Sequence, residues 1–186
     1  MTIDHDALRI KYREERDKRL RPDGNDQYLQ PTGRFTSMLD DPYTEKIERE
    51  PRFDDVTVVL IGGGFSGLCV GARLKQAGID DVCIIEVGGD FGGAWYWNRY
   101  PGAMCDTAAM IYLPLLEETG HMPSAKYVMA PEIFGHCRRI AKTFDLYSNA
   151  LFSTAVTDLA YERSHCRRAH DAVLDQQDPL AREHFG

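Results

Sequence analysis

No stretch of this sequence approaches the length of a membrane-spanning helix, and its first residues lack the apolar core of a secretory signal. Asp4, Asp6, Glu14, Glu15 and Asp17 argue against a transit peptide, which is poor in acidic residues. An excess of basic charge is also missing. Lys and Arg number 22 against 29 Asp and Glu, and the net charge of −7 disfavours nucleic acid and anionic membrane as partners. Cysteine is sparse: Cys69, Cys83, Cys105, Cys137 and Cys166 are scattered, odd in number and mostly in apolar settings. This pattern argues for reduced thiols in a cytoplasmic chain and against a disulfide framework. There is no internal repeat. What remains is one domain's worth of chain, 186 residues with 43% apolar content, ordinary for a soluble globular protein.

The informative part begins at residue 56. Residues 56–61 form a short apolar, β-branched run of the kind a buried parallel strand needs. Gly62, Gly64 and Gly67 follow it in the G-x-G-x-x-G register. The first glycine permits the tight turn, the second lets a pyrophosphate approach the backbone, and the third lets helix and strand pack closely. The helix predicted next presents Leu68, Gly71, Ala72 and Leu74 inward, and Gly78 stands where a left-handed cap is expected. Its N-terminus offers unpaired N–H groups and the positive end of the helix dipole to an anion. A second strand, residues 82–85, ends at Glu86, nineteen residues after Gly67. A carboxylate there can accept from both hydroxyls of an adenosine ribose and repels a 2′-phosphate, so the site suits FAD or NAD rather than NADP. The rival is a glycine turn that binds no nucleotide. The surrounding strand, helix, strand and acid decide against it.

A second run, GGAWYWNRYPGAMCD at residues 92–106, holds two tryptophans and two tyrosines. With the first glycine motif and the sequence on to about Tyr161, it resembles the type I Baeyer–Villiger monooxygenases, a branch of the flavin-containing monooxygenases. The stretch RLRPDGNDQYLQPTGRF, residues 19–35, resembles the N-terminal extension of some members.

The resemblance implies a Rossmann-like α/β fold, doubly wound with a mostly parallel sheet, here an incomplete FAD-binding domain behind a charged helical extension. It implies that Gly62, Gly64, Phe65, Ser66 and Gly67 hold the pyrophosphate and Glu86 the ribose. Gly93, Ala94, Trp95, Tyr96 and Trp97 would line the ribityl chain and isoalloxazine. Met104, Cys105 and Tyr112 would stand nearby, Val156 would flank the adenine, and Asp106 would sit near flavin and nicotinamide as the catalytic residue. Where relatives carry an acidic residue and a serine soon after Asp106, this chain has Thr107, Ala108 and Ala109.

The implied chemistry is that NADPH reduces FAD, the reduced flavin captures O₂ as a C4a-peroxide, and this attacks a ketone to give an ester or lactone. No second G-x-G-x-x-G follows Gly67, so the NADPH-binding domain is expected to be absent. Two other functions stay open. One is a non-catalytic FAD-binding module, a remnant or half of a split enzyme whose complementing chain carries the NADPH domain. The other is an FAD-dependent reductase that makes no oxygenated product.

The rest of the chain carries less chemistry. Residues 1–52 are expected to form an extension: a solvated helix lying on the domain, then a turn-rich linker or strap. Residues 53–163 form the partial FAD-binding domain. Residues 164–186 have no apolar periodicity for another strand and read as an aberrant or disordered tail in a shifted frame. Within it, His165, Cys166 and His170, with His184 remote, match no common zinc spacing, so no metal is expected. Pro131 should open a helix that buries Ile133, Phe134, Cys137, Ile140, Ala141 and Phe144. His136, Arg138 and Arg139 are expected on its solvated face. Cys105, beside Asp106, is expected to be a buried thiol rather than a reactive one.

Overall fold

A computed structural model describes residues 4–29, 31–45 and 49–161, and the backbone of 169–174. By its contacts the chain divides into two units, residues 1–40 and 41–186.

The first unit is built on helix α1 (His5–Asp17). Asp4 caps it, its carboxylate accepting from the N–H groups of Asp6 and Ala7 at 3.0 Å each, which satisfies two donors that a helix start leaves unpaired. Exposed ion pairs such as Arg9–Asp6 and Lys18–Glu15 decorate it and contribute little each. No residue of α1 is buried, in line with its mixed charge. Two short 3₁₀ turns follow, Gly24–Gln27 and Gly33–Leu39.

The second unit contains the βαβ element in the expected order: β1 (Val58–Ile61), α2 (Phe65–Gln76) and β2 (Val82–Ile85). The two strands are parallel and in register from Val58↔Val82 to Ile61↔Ile85. Helix α2 buries Gly67, Leu68, Gly71 and Ala72. Gly71 is small because a Cβ there would stand 3.2 Å from the Leu146 side chain and 3.3 Å from Ile84. The helix stops at Gly78, whose φ of +75° is left-handed.

Four more helices follow: α3 (Ala94–Trp97), α4 (Ala109–Tyr112), α5 (Leu116–Thr119) and α6 (Ala130–Thr143). Strand β3 (Ala150–Leu151) then adds in parallel to β2, giving the sheet order β1-β2-β3. The core lies between α2, α6 and this sheet, where Leu68, Val82, Ile84, Phe91, Cys137, Ile140, Ala141 and Leu146 pack together. Pro131 sits in the first turn of α6, and Ile133, Cys137, Ile140 and Ala141 are fully buried. Among the described residues no helix is long and apolar enough to cross a membrane.

Two expectations need correction. His136 is not solvated: it is 1% exposed on the buried face of α6, between Ile133 and Ile140. The chain turns at Ser153 (φ +52°), and Val156 lies in β4 (Ala155–Tyr161), outside the parallel sheet. Nor is the region beyond residue 164 without a strand, because β5 (Ala169–Leu174) pairs antiparallel with β4. His165, Cys166 and His184 lie outside the described residues.

Candidate functional site

The site is built where two glycine loops meet. The first joins β1 to α2; the second, residues 88–93, leaves the end of β2. Gly92 N–H donates to Gly63 O at 3.0 Å. Gly64 and Gly93 face each other so closely that a Cβ on Gly93 would stand 2.8 Å from the Cα of Gly64. Gly93 also has a φ of +54°, which favours glycine. Gly67 is needed for a different reason: a Cβ there would strike the carbonyl oxygen of Gly62.

Gly64 is the N-cap of α2, and no side chain caps the helix. The first-turn N–H groups of Phe65, Ser66 and Gly67 therefore have no side-chain acceptor, and Ser66 is exposed. That arrangement suits a phosphate, which would serve as the cap. Glu86 is 5% exposed beneath the loops. One carboxylate oxygen accepts from Gly63 N–H at 2.5 Å, the other from Gly88 N–H at 2.7 Å. The carboxylate thus ties the two loops together. Each oxygen keeps a lone pair, so the group can still accept from a ribose hydroxyl.

The aromatic run does not face one way. Trp95, half-buried, donates from Nε1 to the Tyr112 hydroxyl at 2.8 Å. Tyr112 in turn meets the ring of Phe65 edge-on at 5.3 Å. These three stand against a small core of Cys105, Ala109, Leu113, Val128 and Ile133. The structure thus brings together Phe65, Trp95, Tyr112 and Cys105. Cys105 is buried and accepts from Thr107 N–H at 3.4 Å.

Tyr96 departs from the expectation that it lines a flavin. It is 1% exposed and packed edge-on against Trp97, Tyr43 and Phe134. Its hydroxyl donates to Asp41 Oδ2 and lies 2.8 Å from Thr44 Oγ1. Burial, reinforced by the Asp41 carboxylate, pushes this phenol up from its ordinary range. The Arg99 guanidinium lies over the rings of Tyr43, Tyr96 and Phe134 at 4.0, 4.5 and 4.5 Å. Asp41, Thr44 and Arg99 were not among the sequence candidates. Nothing local marks Asp41 and Thr44, whose partner Tyr96 stands about fifty residues away, whereas Arg99 donates to the carbonyl of Tyr96 three residues before it, at 2.8 Å.

Met104 forms an antiparallel bridge with Met129 and is half exposed. Asp106 is exposed on the turn before α4, Ala94 is exposed, and Trp97 is half-buried. Val156 lies on β4, past the turn at Ser153.

A second polar cluster sits under α6. The rings of His136 and His121 stack at 4.9 Å, and His136 Nε2 is 2.7 Å from Pro114 O. His136 Nδ1 is buried without a partner. His121 Nε2 is 3.3 Å from Glu132 Oε1, at ion-pair distance but without hydrogen-bond geometry. Burial holds His136 below the usual histidine range, which keeps it neutral. Among the described residues no three His, Cys, Asp or Glu side chains gather as a metal set.

Residues 60–124 match the family of NAD(P)-binding Rossmann-like domains. The chain is 49% identical to neopentalenolactone D synthase of Streptomyces avermitilis over 89% of its own length and 28% of that protein's. It is 53% identical to a Baeyer–Villiger monooxygenase of Streptomyces coelicolor, over 84% of this chain and 26% of the relative. Among solved structures it is similar to the polycyclic ketone monooxygenase of Thermothelomyces thermophila. That match has a TM-score of 0.73 at 32% identity and covers 90% of this chain and 30% of the other. It also matches the monooxygenase OTEMO in complex with FAD and NADP, with a TM-score of 0.59 at 30% identity over 66% of this chain and 23% of the other. The fold is accordingly a partial Rossmann-like domain of the flavin monooxygenase kind, and over most of its length the chain is a relative of the Baeyer–Villiger monooxygenases. It spans about a quarter of the length of the curated relatives it matches.

Proposed function

We propose that this chain is the FAD-binding part of an NADPH- and O₂-dependent flavoprotein monooxygenase that converts ketones to esters or lactones, working in the cytoplasm. The observation that carries the reading is the meeting of Gly64 and Gly93 over the uncapped start of α2, with the Glu86 carboxylate beneath both loops. The residues present fit FAD. A cradle that any Cβ would fill, open first-turn N–H groups and a buried acid at the end of β2 are what a dinucleotide's pyrophosphate and ribose require. FAD, when bound, supplies the redox centre for hydride and oxygen transfer.

This chain's own residues do the holding. The N–H groups of Phe65, Ser66 and Gly67 bind the pyrophosphate, and Glu86 fixes the loops and accepts from the ribose. Trp95, locked by its bond to Tyr112, forms one wall with Phe65 and keeps water away. Asp106, exposed beside this wall's supporting turn, supplies charge near the reacting groups.

The same glycine loops and buried carboxylate would equally serve a second reading, a flavin-binding module that makes no oxygenated product. A chimera separates the two. In it, the matching segment of the Streptomyces coelicolor relative is replaced by this chain. Ketone-dependent NADPH oxidation with ester formation is the expected result; FAD retention without ester would leave only the module.

A further inference from the structure

The segment after residue 40 is more than a linker, because it is bonded to the second glycine loop at points far away in sequence. Asp41 Oδ2 accepts from the backbone N–H of Gly89 at 3.0 Å and from the Tyr96 hydroxyl. Thr44 Oγ1 reaches the same hydroxyl at 2.8 Å, and Tyr43 donates from its hydroxyl to Trp97 O at 3.1 Å. Farther along, Arg49 donates to Phe152 O at 3.2 Å and to Thr154 Oγ1. Thr154 N–H donates to Glu86 O, and Ser153 N–H to Gly88 O, both at 3.0 Å. Asp41 thus holds the loop that joins β2 to α3 at Gly89. Asp41, Tyr43 and Thr44 hold the helix that follows it, and Arg49 reaches the start of the loop only through Thr154. The fit is close: a Cβ on Gly89 would strike the Thr44 side chain, and one on Gly88 would lie 2.9 Å from the Tyr96 ring.

We propose that Asp41 is a positioning residue for the flavin site, holding the 88–93 loop against the first glycine loop through Gly89 and Tyr96. The proposal rests on the FAD reading above. Asp41 touches neither Gly64 nor Gly93, so it acts through others. Without it the Gly89 N–H and the buried Tyr96 hydroxyl lose a charged acceptor, and the loop is no longer held where Gly92 and Gly93 meet Gly63 and Gly64. A charge-assisted bond of this kind is among the strong ones, and its loss from a loop is expected to shift the loop's opening equilibrium about tenfold or more. Tyr96 is then the relay: its ring is packed under the loop while its hydroxyl reads the strap.

The experiment uses the full chain and has two readouts. The first is amide hydrogen exchange of residues 87–97 without flavin, for the wild type, Asp41→Asn, Tyr96→Phe and the double variant. Exchange about tenfold faster in Asp41→Asn, with the double variant no faster than the quicker single one, is the expected result. Unchanged exchange in Asp41→Asn would overturn the proposal whether or not the chain binds flavin. The second readout is FAD affinity by flavin fluorescence titration, with the unfolding midpoint measured alongside. A loss of about tenfold in FAD affinity with little change in midpoint supports positioning. Equal affinity in wild type and variant overturns it. A midpoint that falls as far as the affinity also overturns it, because Asp41 would then be merely structural. If the wild type takes up no FAD while the loop still answers to Asp41→Asn, the FAD reading fails and the role in flavin binding fails with it. In that case the hold on the loop stands.

Discussion

Gly64 and Gly93 touch backbone to backbone, and this one approach brings the loop after β1 and the loop after β2 into a single site. A Cβ on Gly93 would lie 2.8 Å from the Gly64 Cα, and the φ of +54° adds strain for any other residue. Gly93→Ala is therefore expected to destabilise the chain by about 1–3 kcal/mol and to abolish flavin uptake. Urea unfolding and a flavin titration on the same sample check both; normal flavin uptake would show that the approach is not needed.

Glu86 gives the second prediction. Its two oxygens accept from the buried N–H groups of Gly63 and Gly88. Glu86→Gln keeps one acceptor and replaces the other with a donor that faces an N–H. The expected cost is about 1.5–3 kcal/mol, seen as a lower urea midpoint at unchanged slope. A variant as stable as the wild type would mean that the carboxylate does not tie the loops.

His136 sets a pH dependence. Its folded pKa lies below the ordinary histidine value of about 6.5, chiefly because it is buried. The unfolded chain therefore takes up the proton more readily. Stability is complete above about 6.5 and is lost as the pH falls through that value toward the lower folded pKa. Around the ring stand His121, Glu132 and Arg139, of which His121 and Arg139 oppose the added charge. His136→Gln, which can still donate to Pro114 O, is expected to flatten this part of the stability profile between pH 5 and 7. An unchanged slope would assign the acid sensitivity elsewhere.

Thiol reactivity distinguishes the cysteines. Cys137 is fully buried in α6 and its thiol is pushed up to about 12, mainly by burial. Cys69 and Cys83 are only half-buried. Alkylation at neutral pH followed by mass mapping should leave Cys137 unmodified until denaturant is added. Modification of native Cys137 would contradict its place in the core.

The parts of the fold that depend on neighbours in sequence were legible. The β1–α2–β2 unit, the left-handed Gly78 and the buried face of α6 follow from short apolar, β-branched runs, from apolar residues at three- and four-residue intervals and from glycine chemistry. His136 is instructive because its spacing was right: it lies three residues after Ile133 and four before Ile140. Only its polar side chain suggested solvent, and its bond to the Pro114 carbonyl comes from another segment. Tyr96 was read with Trp95 and Trp97 as one flavin wall, but neighbours on a helix point different ways. Its partners Asp41 and Thr44 lie more than fifty residues upstream. Strand β5 was missed because its pairing with β4 has no local signature. The fit of Gly64 to Gly93 was half visible as two glycine motifs; their contact needed the fold.

The most direct test of the central claim is the visible absorption spectrum of the purified chain after incubation with FAD and desalting. A stoichiometric, protein-bound flavin spectrum that Gly93→Ala fails to give is the predicted result. A folded chain that emerges colourless, with its circular dichroism intact, would contradict the claim that these two glycine loops form a flavin site.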